Sequence, residues 1–165
     1  MSVLYGSYEN VEGSEQYDER VQYVAQPNRG KPAAVNRGVE EMRGTYFALL
    51  DADDRLPPRS LERRVGALTV QSDADTAIGG FKVFSEPGTD LFGERPCPCV
   101  RNPHRLKHLF SRSYKTPFHF NGCLLHRSLI DRVGQFDRFQ DQDYSIRCME
   151  NTRGIVLVDA PVYLY

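Results

Sequence analysis

Hydrophobic positions change their period several times along this chain, and each change marks a predicted element. Val21-Gln22-Tyr23-Val24-Ala25-Gln26 alternates apolar and polar residues with β-branched and aromatic content, which predicts a strand ended by the turn Pro27-Asn28-Arg29-Gly30. Over 32–42, Ala34, Val35, Val39 and Met42 recur at helical spacing, and Arg43-Gly44 supplies a basic last turn and a glycine stop. Tyr46-Phe47-Ala48-Leu49-Leu50 is a short continuous apolar run, the pattern of a central strand buried on both faces. It ends in Asp51-Ala52-Asp53-Asp54. Pro57-Pro58-Arg59-Ser60 then opens a second helix with Leu61, Val65, Leu68 and Val70 expected to face inward.

Beyond this point the signals are shorter. Residues 77–84 read as a strand, 86–98 as an irregular loop, 105–110 as a short helix and 118–125 as a strand. A short helix over 128–133 stops at Gly134, and 144–150 and 154–158 close the chain as helix and strand. Strand, helix, strand, helix in this order predicts an α/β domain whose mainly parallel sheet is flanked by crossover helices. No repeat or linker divides it, so 1–165 is expected to be one domain.

Composition narrows the function classes. At 165 residues, with 40% hydrophobic and 26% charged residues, the chain is of ordinary globular make-up. Twenty-one basic residues balance 22 acidic ones, so no global field draws it to nucleic acid. No run approaches the roughly 18 apolar residues of a membrane span, and the start lacks a signal-peptide layout. The expected location is the cytoplasm, with peripheral membrane association allowed. Cys97, Cys99, Cys123 and Cys148 are too few and too irregular for a disulfide framework or zinc site.

The acidic turn is the main chemical candidate. Open α/β sheets bind ligands beyond the carboxyl ends of their strands, where Asp51, Asp53 and Asp54 are expected. Crowded carboxylates repel one another unless a cation or hydrogen-bond donors compensate, and oxygen ligands suit magnesium or manganese. The alternative is that Asp53 or Asp54 caps the following helix. Arg29 and Lys31 beside Gly30 are local cations fit for a diphosphate, or else part of a solvated loop. Asp141 could hold backbone donors at the start of the helix that follows it.

Several of these segments, in order, resemble the family-two inverting glycosyltransferases. They are 28–38, with Asn28-Arg29-Gly30-Lys31 and Asn36-Arg37-Gly38; 44–54, ending in the acidic turn; Gly122-Cys123-Leu124-Leu125-His126-Arg127; 133–137; and Gln140-Asp141-Gln142-Asp143. The resemblance implies a GT-A type fold with a Rossmann-like nucleotide-sugar-binding core. It implies transfer of a sugar, with inversion, from a nucleoside-diphosphate donor, a UDP-sugar in first place, to an acceptor hydroxyl. By similarity, Asp53 with Asp51 would hold Mn2+ or Mg2+. Asp51, Arg29, Lys31 and Asn36 would meet the nucleotide sugar, and His119 and Asn121 the acceptor. Asp141 would be the catalytic base, although Gln140 replaces the glutamate that usually precedes it, which leaves Asp141 easier to ionise.

The chain also departs from that family. Its usual first strand and helix are missing, 3–7 reads as the remnant of the second strand, and the core is expected to be truncated at its amino end. A missing strand would leave an exposed sheet edge, expected to be covered by another copy, a swapped segment, a partner, or the stretch 8–20 folding back. The alternative function is an inactive glycosyltransferase-like fragment serving as a binding or assembly module.

Overall fold

The computed structural model describes residues 3–5, 21–84, 91–95, 119–137 and 140–164; for 3–5, 21, 83–84, 91–95 and 140–141 it describes the backbone alone. The elements are β1 (Val3–Tyr5), β2 (Val21–Tyr23), α1 (Lys31–Glu41), β3 (Tyr46–Phe47), α2 (Ser60–Val70), β4 (Thr76–Phe84) and β5 (Leu91–Arg95). A 3-10 turn (Phe120–Gly122) then leads into β6 (Cys123–His126), α3 (Arg127–Val133), α4 (Gln140–Asn151) and β7 (Ile155–Leu164). The predicted helix 105–110 and the stretch 8–20 lie outside the described residues.

The α/β class is as expected, and the sheet is mixed. β1 and β2 form a parallel pair of their own, while the larger sheet runs β3-β6-β4-β5 with β7 joined to β4. β4 runs antiparallel to β6 and β5 and parallel to β7. The mainly parallel arrangement is thus corrected: β5 and β6 both run back along β4, and β3 pairs antiparallel with β6. Among the described residues β3 has a strand neighbour on one side only, so it ends the larger sheet instead of lying at its centre. Its run is short, and residues 46–50 are half-buried.

Alternation along the strands sorts side chains into two cores. Ala77 and Leu124 pack with Leu68 of α2 on one face. Ile78, Cys123 and Leu125 point the other way, into a larger cluster with Val35 of α1, Leu129 and Ile130 of α3, and Tyr144, Cys148 and Met149 of α4. The result is three layers, α2, sheet, and α1 with α3 and α4. Val70, expected inward, is 89% exposed. It sits two residues past buried Leu68, on the opposite side of the helix.

Two close approaches fix the sheet. A Cβ on Gly79 would lie 2.4 Å from Cγ2 of Val162, so only glycine lets β7 cross β4 there. At the other end, Asp75 is fully buried just before β4 and is held by Arg132 of α3 and by Thr152 and Arg153 from the turn before β7.

Candidate functional site

Beyond β3 the chain turns at 51–54, where the Asp54 backbone N–H donates to the Asp51 carbonyl at 3.2 Å. Arg55 then pairs with Leu164 through both backbone hydrogen bonds, which pins the end of the turn to the end of β7. That contact brings the residue before Leu164 to the turn. Tyr163, fully buried, donates its hydroxyl to the Asp54 carboxylate.

The turn's other partners come from two further elements. Asn121, fully buried in the 3-10 turn, donates its amide to Asp51 Oδ2 and to Asp54 Oδ2, each at 3.1 Å, and lies 3.2 Å from the Tyr163 hydroxyl. One amide thereby bridges two carboxylates that would otherwise repel each other. Lys31, the first residue of α1, places its Nζ 2.8 Å from Asp51 Oδ1 and 3.0 Å from Oδ2. Its direction is set locally: Gly30 takes φ +84°, and the Asn28 side chain accepts from the Gly30 N–H at 2.9 Å.

These contacts set the electrostatics. Burial alone would raise the Asp51 carboxyl, but hydrogen bonds from Lys31 and Asn121, with the charges of Lys31 and His119, hold it below the ordinary aspartate value. Burial, and the hydrogen bond its hydroxyl donates to the Asp54 carboxylate, push Tyr163 well above the usual phenol range. His119 stacks on the Tyr163 ring with centroids 4.9 Å apart, and Phe81 meets its edge at 5.9 Å.

Of the sequence-predicted residues, the fold gathers Asp51, Lys31, Asn121 and, through Tyr163, His119. Asp53 stands exposed in the same turn, and its carboxylate engages none of the described residues. Arg29 is exposed in the loop before α1. Asn36 points elsewhere: its amide donates to the Phe136 carbonyl at 2.9 Å and its Oδ1 accepts from the Phe136 N–H at 2.7 Å. Asp141 is the second residue of α4, and its side chain lies outside the described part. Tyr163 is a site residue that sequence reasoning missed, because the last strand reads from the sequence as 154–158 only. The strand continues because the β4–β7 register shifts at that point.

No group of three or more His, Cys, Asp or Glu side chains is arranged to hold a metal among the described residues. A hard cation can be held by one or two carboxylates with its remaining ligands from phosphate and water; the turn offers the exposed Asp53 carboxylate and that of Asp51, and the buried Asn121 Oδ1 has no hydrogen-bond partner among the described residues.

No helix among the described residues is long and apolar enough to cross a membrane. Residues 5–134 match the family described as Glycosyl transferase family 2. The putative glycosyltransferase EpsH of Bacillus subtilis is 27% identical over 158 residues, covering 90% of this chain and 45% of that protein. An uncharacterised glycosyltransferase of Methanocaldococcus jannaschii is 27% identical over 148 residues, covering 87% and 49%. The chain spans about half the length of these relatives. A structure of S. aureus TarS in complex with UDP-GlcNAc superimposes with a TM-score of 0.64 at 14% identity over 88% of this chain and 41% of that one, and a complex with UDP gives 0.59. Matched over most of its length and sharing the GT-A type fold, the chain belongs to Glycosyl transferase family 2.

Proposed function

We propose that this chain binds a nucleoside-diphosphate sugar at the acidic turn and serves its transfer, with inversion, to an acceptor hydroxyl. The observation that carries the reading is the turn itself, where Asn121 bridges Asp51 and Asp54, Tyr163 holds Asp54 and Lys31 pairs with Asp51 while Asp53 stays exposed. The S. aureus TarS complexes with UDP and UDP-GlcNAc support a UDP-sugar as the donor to try first.

Each residue has a role in this reading. Lys31 and Arg29 face the diphosphate and His119 borders the sugar and acceptor, whereas Asn121, expected at the acceptor, is fully buried and instead positions Asp51 and Asp54. A divalent cation, Mn2+ or Mg2+, held by Asp53 with Asp51 would supply charge neutralisation to the departing diphosphate. Asp141 takes the proton of the acceptor hydroxyl as its oxygen bonds to the anomeric carbon from the far side. The bond from that carbon to the diphosphate oxygen breaks, and its electron pair leaves with the nucleoside diphosphate. Asn36, with both polar groups on the Phe136 backbone, serves by tying α1 to the segment that leads into α4. The same reading places the protein in the cytoplasm or at a membrane surface, with the outer edge of β3 covered by a second copy or a partner.

Calorimetry tests it directly, with UDP and UDP-GlcNAc titrated with and without MnCl2. Binding is expected to depend on manganese and to weaken at least tenfold in Asp53→Asn, with the melting temperature unchanged, because the carboxylate is exposed. Absence of nucleotide binding under both conditions would overturn the proposal. Binding without turnover on any hydroxyl acceptor would favour a binding module.

A further inference from the structure

The donors that hold the acidic turn differ in whether they can leave it. On the inner side, Asn121 and Tyr163 are fully buried. The Tyr163 ring is stacked on His119 and packed 6.5 Å from Phe81, centroid to centroid. Neither side chain can turn away without opening the core. On the outer side stands Lys31, whose side chain and that of Asp51 are each 34% exposed. Its ammonium ends a flexible four-carbon stem that reaches solvent, unlike the two buried donors.

Lys31 also sits across both oxygens of the one carboxylate, Asp51, that is shared between its own ion pair and the cation reading. A cation approaching Asp51 meets an ammonium already there. Half-exposed ion pairs are weak enough for such exchange, contributing no more than a few-fold in an equilibrium constant. The displaced ammonium would then lie beside whatever anion accompanies the cation, where charge-assisted hydrogen bonds are stronger than in bulk water.

We propose that Lys31 is a displaceable counter-ion, which neutralises Asp51 in the ligand-free protein, yields that carboxylate to a divalent cation, and moves onto the diphosphate of the same ligand. The proposal rests on the nucleoside-diphosphate reading above. It makes cation and nucleotide bind cooperatively, since each favours the same position of one side chain.

The test uses the full chain with Lys31→Met and, for rescue, Lys31→Arg. Mn2+ is titrated without nucleotide, following the spin-resonance signal of free Mn2+, and UDP is titrated by calorimetry in EDTA and again in Mn2+. Lys31→Met is expected to bind Mn2+ alone about three- to fivefold tighter than wild type. It should bind UDP in EDTA about tenfold weaker, and Lys31→Arg should reverse part of both changes. A purely structural ion pair would lower the melting temperature and leave both affinities alone. Manganese affinity that is unchanged or weaker in Lys31→Met overturns the proposal, as does unchanged UDP affinity in EDTA. If Lys31→Met lacks a cooperative melt, Lys31→Gln carries the same comparison. Wild-type protein that binds neither Mn2+ nor UDP would overturn the nucleotide reading and this proposal with it, whereas wild-type binding that Lys31→Met leaves unchanged overturns this proposal alone.

Discussion

Asp75 is a fully buried carboxylate whose partners, Arg132, Arg153 and Thr152, all come from segments far along the chain. Burial would raise its carboxyl, but hydrogen bonds from Thr152, Arg132 and the Arg153 backbone reverse that and hold it below the ordinary value. A carboxyl depressed on folding stabilises above its unfolded value, about pH 4, and that contribution is lost as pH falls through the folded value. Asp75→Asn is therefore expected to lower stability by about 2 kcal/mol at pH 7, since Arg132 is 35% exposed on its side chain and can re-solvate. Urea midpoints from pH 5 to 3 check this: wild type should decline through the window more steeply than the variant. Little of this residue-scale detail is legible in the sequence. Arg63 and Arg64 are adjacent and alike, yet Arg63 is exposed and Arg64 fully buried, donating to the Cys123 carbonyl at 2.9 Å, with burial lowering its pKa to about 10. Helical spacing held the clue, since Arg64 lies three residues after Leu61 and four before Leu68. Asn36 carried no comparable signal, because its partner lies 100 positions away.

Among the elements, the β4–β7 seam makes the sharpest demand. Gly79→Ala drives a methyl into the Val162 side chain, with 2.4 and 2.5 Å to its two γ carbons, and is expected to cost about 1–3 kcal/mol. Val162→Ala removes both γ carbons, so the double variant should lose less than the sum of the single losses. Urea unfolding of the four proteins measures that coupling, and strict additivity would show that the seam relaxes freely. The helices were the most legible elements, because α1 and α2 each bury a periodic stripe, α1 ahead of the glycine at 44 and α2 behind the proline pair at 57–58. Strands were read less well. β5 falls where turn residues predicted a loop, since Pro87-Gly88 and Pro96 flank a run that gains its order from pairing with β4. β3 read as a central strand, but its apolar run could not disclose that it would have a neighbour on only one side.

At the scale of the molecule, β1 and β2 pair, among the described residues, in a sheet apart from the other five described strands. Under the proposal of a covered edge, light scattering should give a mass above that of one chain, and a monomer at micromolar concentration would count against a second copy on β3. The crowding of carboxylates in the acidic turn was legible from its residues; the assembly around it was not, because Tyr163 and Asn121 reach it only through the tertiary fold. That assembly bears on the order in which the protein can mature. β4 is bound on one side by β7, which begins at Ile155, and the Arg55–Leu164 bridge closes a loop of more than a hundred residues. Loops of that length close slowly, and synthesis runs from the amino end. A nascent chain halted anywhere before β7 could form its helices early, yet would hold Asp54 without Tyr163. The site should therefore form on the ribosome only after Tyr163 has emerged, and a chain truncated before β7 should lack it.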